Sequence, residues 1–217
     1  MTTGTADEKQ GGRLTQDARP GTVPYIAAWS RERTYRPAMA RRAVGDGEGV
    51  GYLDETPYDR DGRGVLWVRQ ALARGSGRPQ FQNVHVLRQR RAVRRMLCQV
   101  CGHPTPRGGP WLFVLRDVGR PVEEGERTTA PPVCAPCARL SVRQCPRLRE
   151  GYAAALVGRA EVWGVAGIVH HPATLEPADG SLHEVAHEDP AIRWVTAHRL
   201  VLELRDCTPV DLNHLTT

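Results

Sequence analysis

The sequence predicts an α+β protein, with a β-rich N-terminal half, a four-cysteine module embedded in residues 95–152, and a C-terminal strand and helix. Three observations predict it. Short β-type runs separated by turn residues fill the chain between Tyr25 and Arg78, two Cys-x2-Cys pairs lie near its middle, and a segment after Pro190 has helical apolar spacing.

At 217 residues the chain can bury a core of its own, so a bound metal would act as a local staple and not as the only support of the fold. Hydrophobic residues make up 40% and charged residues 25%, a mixture that excludes a disordered chain or a fibre. Residues 1–24 are polar, glycine-rich and aperiodic, the composition of a mobile tail, which leaves residues 25–217 as a single domain. The opening segment lacks the apolar run of a secretory signal, and no stretch approaches the roughly 18 apolar residues of a membrane span. A cytoplasmic protein with no membrane partner is expected, in a reducing compartment where paired cysteines bind metal more often than they form disulfides.

Within the domain, Gly49–Glu55 and Gly64–Gln70 read as strands flanking the turn-rich Thr56–Arg63. Val65, Leu66, Trp67 and Val68 do not alternate with polar residues, which predicts a strand covered on both faces. Val84, Leu87, Ala92, Met96 and Leu97 have roughly helical spacing with arginines between them, an amphipathic helix that delivers the chain to Cys98. The proline- and glycine-rich His103–Pro110 is a loop. Trp111–Asp117 reads as a strand, Val118–Arg127 as a hairpin connection and Thr128–Val133 as the extended return. Ala138–Leu156 begins as a helix that Pro146 breaks, Glu161–Val169 is a strand, and His170–Asp189 is a loop. At the end of the chain Asp189 suits an N-cap and Pro190 the first helical position. Trp194, Ala197, Val201 and Leu204 then have the spacing of a helix from Pro190 to Arg205.

The cysteines are Cys98, Cys101, Cys134, Cys137, Cys145 and Cys207. Zinc takes four thiolate or imidazole ligands at tetrahedral corners, and a two-residue gap lets one tight turn aim two sulfurs at one ion. Gly102 suits such a turn because glycine accepts a positive φ, and Pro136 fixes the second bend. The spacing therefore predicts one structural Zn2+ per chain, held by Cys98, Cys101, Cys134 and Cys137. A disulfide framework is disfavoured without a secretion signal, and a redox Cys-x-x-Cys follows a strand in a βαβ setting that is missing here. Cys145 could approach the site along a continuous helix but reads more simply as a small buried hydrophobe, and Cys207 has no partner.

A cysteine knuckle, a hairpin and then a helix whose first turn carries the other ligands is similar to the treble-clef zinc finger. A plain zinc ribbon would instead continue into a strand after Cys137. The resemblance covers residues 95–152 and implies a local fold and a metal. Treble clefs serve in nucleic-acid binders, nucleases and protein-interaction modules alike, so it does not choose a function.

Two enzyme alternatives come from the histidines. HNH-like nucleases build a ββα active site on zinc knuckles and need a histidine base within reach of a metal-bound water. Between the cysteine pairs this chain offers only His103, and Ala138 stands where such enzymes often place histidine. The run from His183 to His187 spells the H-E-x-x-H of metal-dependent hydrolases, with His198 or Glu203 as further ligands on paper. That motif belongs on a long helix, whereas this one lies between Gly180 and Pro190, and no catalytic residue is assigned.

Arg88, Arg90, Arg91, Arg94 and Arg95 form the densest charge run. They read as a phosphate-binding surface, as charge balance for a tetrathiolate, or as a solvated helix face. The net charge of +6 and pI near 9.3 permit an anionic partner without demanding one. Lys9 is the only lysine, an arginine bias that weakens the meaning of any single arginine. Leu97–Gly102, Pro131–Arg149 and Arg199–Leu212 together resemble a group of uncharacterised actinobacterial proteins of the Streptomyces type, which implies a source and no activity. The expectation is a zinc-stabilised, non-enzymatic binding or regulatory protein with DNA or RNA as partner. An adaptor that binds another protein is the alternative.

Overall fold

The computed structural model describes residues 22–116 and 119–215, so the expected tail lies almost wholly outside the described residues. Seven short strands come first: β1 (Ala27–Trp29), β2 (Thr34–Tyr35), β3 (Met39–Val44), β4 (Gly47–Tyr52), β5 (Leu66–Trp67), β6 (Arg69–Gln70) and β7 (Pro79–Val84). Then follow α1 (Val86–Arg94), β8 (Trp111–Arg116), β9 (Arg127–Thr128), α2 (Ala135–Gln144) and α3 (Pro146–Arg149). Three longer strands close the chain, β10 (Tyr152–His170), β11 (Pro177–Ala186) and β12 (Val195–Pro209). The α+β class and the β-rich first half are as the sequence predicts.

The main sheet has the order β11-β10-β12-β5, with β8 added to β10 and β9 to β12. Every pairing in it is antiparallel except β12 with β5. Three two-stranded pairs, β1-β7, β2-β6 and β3-β4, accompany it. The largest core cluster is made where β10 and β12 face β5 and α1, from Val65, Trp67, Val93, Phe113, Val157, Leu200, Leu202 and Leu204 among others. Val65, Leu66, Trp67 and Val68 are all buried, as their unbroken apolar run predicts, and the Tyr52 hydroxyl donates to the Trp67 carbonyl at 3.1 Å.

Three expectations are corrected. The closing helix is only a 3-10 turn, Pro190–Trp194, in which the Asp189 carboxylate does accept the expected capping bond from the Ala191 N–H at 2.8 Å. The chain then runs as β12. Ala197 pairs with Gly167 and Arg199 with Ala166, so His198 is an extra residue, a β-bulge. A bulge shifts the two-residue alternation by one, and the apolar spacing it leaves imitates a helix. The expected hairpin between the cysteine pairs does not form a ladder: β8 pairs with β10 and β9 with β12, and a bond from the Val133 N–H to the Leu112 carbonyl at 2.9 Å links the two arms. The expected loop at 170–189 contains β11, a mostly exposed edge strand on β10 whose polar residues carry no apolar alternation to reveal it.

The helix before Cys98 forms as α1, with Val86, Ala92 and Val93 buried. It ends with the Met96 N–H donating to the Val93 carbonyl at 3.3 Å and the Leu97 N–H to the Ala92 carbonyl at 2.8 Å, Met96 taking φ +48°. This is the two-bond left-handed termination of a helix, and it turns the chain sharply toward Cys98.

Arg88, expected at a binding surface, is buried instead. Its guanidinium donates to both carboxylate oxygens of Glu32 at 2.7 and 2.6 Å and to the Ala27 carbonyl at 2.8 Å. Glu32 also accepts from the Trp29 N–H at 2.8 Å. Burial alone would raise the Glu32 carboxyl, but Arg88 and the Trp29 N–H outweigh it and hold it below the ordinary range. The pair ties α1 to the N-terminal strands. Replacing one partner leaves a desolvated charge, so Arg88→Met should lower the unfolding free energy by about 3–5 kcal/mol. Removing both charges, in Glu32→Gln with Arg88→Met, should cost less, which chemical denaturation of the two variants will measure.

Candidate metal centre

The four cysteines of the two pairs converge. Their sulfurs lie within 4.8 Å of one another, and theirs is the one such cluster found among the described histidine, cysteine and acidic residues. Cys101 Sγ and Cys134 Sγ are 4.0 Å apart. A tetrahedron with metal–sulfur bonds of about 2.3 Å has edges of about 3.8 Å, so the donor set has the size of a four-thiolate site.

Local structure explains the convergence. In the first knuckle the Cys98 N–H donates to the His103 carbonyl and the Gly102 N–H to the Cys98 carbonyl, each at 2.8 Å. Gly102 has φ +77°, and a Cβ there would stand 2.8 Å from Cδ2 of Tyr25. The knuckle is anchored from outside, because its Val100 carbonyl accepts from the Tyr25 N–H at 2.8 Å and the Gln99 N–H donates to the Pro132 carbonyl at 2.9 Å. In the second knuckle Cys134 is the N-cap of α2, with Pro136 in the first turn, and Cys137 follows within that turn. The start of the helix therefore carries two of the four sulfurs. A helix begins at the second knuckle, and β8 and β9, the arms between the two cysteine pairs, are held by the long strands β10 and β12.

Packing fixes the cluster in place. Cys98 is fully buried with Val100, Leu112, Val114, Val133, Ala138, Ala154 and Leu212. Arg139 on α2 donates to the Leu212 and Leu215 carbonyls, at 3.3 and 2.9 Å, and so holds the last described residues against the module. Electrostatics set the four thiols against one another. Burial first, and then the neighbouring sulfurs, push the Cys101 and Cys137 thiols up. Burial would also raise Cys98, but the backbone N–H groups of Cys101, Cys134 and Val100 outweigh it and hold that thiol below its ordinary value. A cation placed among the four sulfurs would relieve this mutual repulsion.

The remaining candidates do not join the cluster. Cys145 lies between α2 and α3, which meet at Pro146 as expected, and Cys207 lies on β12. His103 is exposed and Ala138 is wholly buried, and the β8 and β9 arms do not pair into the ββα frame of a nuclease. His183 and Glu184 are on strand β11, with His187 just beyond its end. Four residues of extended chain separate the two imidazoles by roughly 13 Å, too far to share one ion. His183 instead meets the Asp179 carboxylate at 2.8 Å, while both nitrogens of His187 are buried without a partner. The H-E-x-x-H reading is therefore corrected, because the motif has no helix.

Of the arginine run, Arg88 is spent on Glu32, and Arg90 lies 3.8 Å over the Trp67 ring, where burial lowers its pKa to about 10. Arg94 reaches Asp61 at 3.1 Å. Arg91 and Arg95 are exposed, and their side chains have no partner among the described residues.

Fold and site together define a mixed α+β protein whose four-cysteine cluster could hold a metal ion. Comparison with family models, with curated proteins and with solved structures found no match. No helix among the described residues is long and apolar enough to cross a membrane.

Gly102→Ala should expose how tightly the first knuckle is specified. Its left-handed φ and the Tyr25 ring both oppose a side chain, so a loss of about 1–2 kcal/mol in thermal or denaturant stability is expected, together with faster transfer of bound metal to a chelator.

Proposed function

We propose that the protein is a zinc-stabilised, non-enzymatic binding protein in which the ion is structural. The carrying observation is the four-sulfur cluster itself, with sulfurs within 4.8 Å of one another and Cys98 fully buried. Catalytic zinc keeps a coordination position open for water or substrate, whereas four protein thiolates close the tetrahedron. Soft thiolate donors in this geometry favour zinc over magnesium or calcium, which take oxygen ligands. A reducing cytoplasm suits the site because it keeps the thiols free.

Zinc here would join the turn after α1, the segment leading out of β9 and the start of α2. Protein purified under reducing conditions should contain about one zinc per chain, and Cys98→Ser or Cys134→Ser should lose it. Chelation should melt the module, because thiolates without their cation repel and the small knuckles have little core of their own. Elemental analysis that finds no zinc would overturn the site.

The partner reading rests on what remains of the arginine run. Arg91 and Arg95 stand one helical turn apart, exposed and unpartnered, with Arg94 half-exposed between them. This is a small cationic patch of the kind that neutralises phosphates, and DNA or RNA is the proposed partner. Binding to generic duplex DNA or single-stranded RNA should weaken with salt. Arg91→Glu with Arg95→Glu should reduce the salt slope by about one for each arginine that contacts a phosphate. No binding at low ionic strength would remove the nucleic-acid reading and leave the zinc site untouched.

A further inference from the structure

Away from the cysteines, two adjoining cavities of about 360 and 540 Å³ lie between the β10-β12 face and the N-terminal segments. They share Arg36, Ile168 and His198 in their walls. The bulge in β12 gives this face its charge. In a regular strand His198 and Arg199 would point to opposite sides of the sheet. With one extra residue, Ala197 and Leu200 both stay in the core, 0% and 1% exposed, while His198 and Arg199 both turn to the second cavity. Bulges that re-aim side chains in this way occur beside functional sites.

Three of the basic side chains in these walls, Arg36, His198 and Arg199, are unsatisfied among the described residues. Neither Arg36, His198 nor Arg199 has a hydrogen-bond or ion-pair partner among the described residues. Burial, with Arg199 and Arg36 beside it, pushes His198 down to about 4, and burial lowers Arg199. Acids in the walls do not relieve them: Glu32 is spent on Arg88, and Glu176 makes no ion pair with either arginine. His170 is also occupied. Its Nδ1–H donates to the Leu175 carbonyl at 2.8 Å, so its Nε2 accepts from the Thr196 hydroxyl at 3.0 Å. A desolvated guanidinium without a counter-charge is costly, and a bound anion offsets that cost. The first cavity adds an apolar wall from Met39, Tyr52 and Leu175.

We propose that this double cavity binds a small organic anion, its phosphate or carboxylate held by Arg36, His198 and Arg199 and its apolar part seated against Met39, Tyr52 and Leu175. The site is independent of the zinc and of the arginines on α1. Guanidinium forks and an imidazole N–H match the oxygens of either anion, and a ligand that carried only charge would leave the apolar wall unused.

The test is calorimetric titration of the protein, with and without added zinc, with phenyl phosphate, benzoate, inorganic phosphate and benzyl alcohol. Saturable binding of phenyl phosphate or benzoate is expected, tighter than that of inorganic phosphate and with no binding of benzyl alcohol. The better of the two aromatic anions identifies the head group. Arg199→Gln should weaken binding roughly tenfold or more, the worth of one charge-assisted hydrogen bond. Arg36→Gln, at an exposed position where folding is not at stake, should do the same. Absence of saturable binding by either aromatic anion would overturn the proposal. So would equal binding of benzyl alcohol, or unchanged affinity in both variants.

Discussion

The antiparallel pairing of β10 with β12 is the constraint on which the remainder of the molecule rests. It runs from Ala155 opposite Pro209 to Val169 opposite Val195, and every other strand of the main sheet is added to one of these two. Two long strands with apolar inner faces offer β8 and β9 more buried surface and more ladder bonds than those short segments could offer each other. The expected hairpin is lost for that reason, and the same recruitment brings the two cysteine knuckles to one place. Leu112 on β8 and Val133 just before Cys134 are both in the cluster that buries Cys98.

The cysteine module is the second constraint, and it acts locally. A buried thiol is tolerable, and four sulfurs converging beside a helix N-terminus are tolerable when a cation neutralises them. The sheet already supplies a core of its own around Leu200, Leu202 and Leu204. An ion at the cysteines would therefore staple loops and α2 to a sheet that has other support, unlike a small zinc finger in which the metal replaces the core. The bonds from Arg139 to the chain end extend the staple to the last described residues.

Arginine does several different jobs in this chain. Arg88 is an internal clamp, Arg90 stands 3.8 Å over the Trp67 ring, and Arg69 holds Asp59 down to about 2 while standing over the Tyr52 ring. A planar guanidinium with several donors can be buried with a carboxylate or stacked on an aromatic ring, which an ammonium does less well. Other arginines keep their charge free among the described residues, Arg91 on α1 and Arg95 at its C-cap, and Arg36 and Arg199 at the double cavity, among them.

The sequence by itself determined the four cysteines that gather into one cluster, the positive φ of Gly102, the helix before Cys98, the break at Pro146, the burial of Val65–Val68 around the short strand Leu66–Trp67 and the cap at Asp189. Each depends on residues close in the chain, where spacing and side-chain type act directly on backbone geometry. Tertiary structure decided the rest. A bulge at His198 hid a strand behind helical spacing, the polar edge strand β11 had no alternation to show, and the H-E-x-x-H run was drawn onto that strand by β10. The fate of the arginines was equally invisible, since Glu32 lies 56 residues from Arg88 and no local pattern brings them together. Long-range pairing chose between local alternatives because a shared ladder and a shared core outweigh the tenths of a kilocalorie that propensity contributes at each residue.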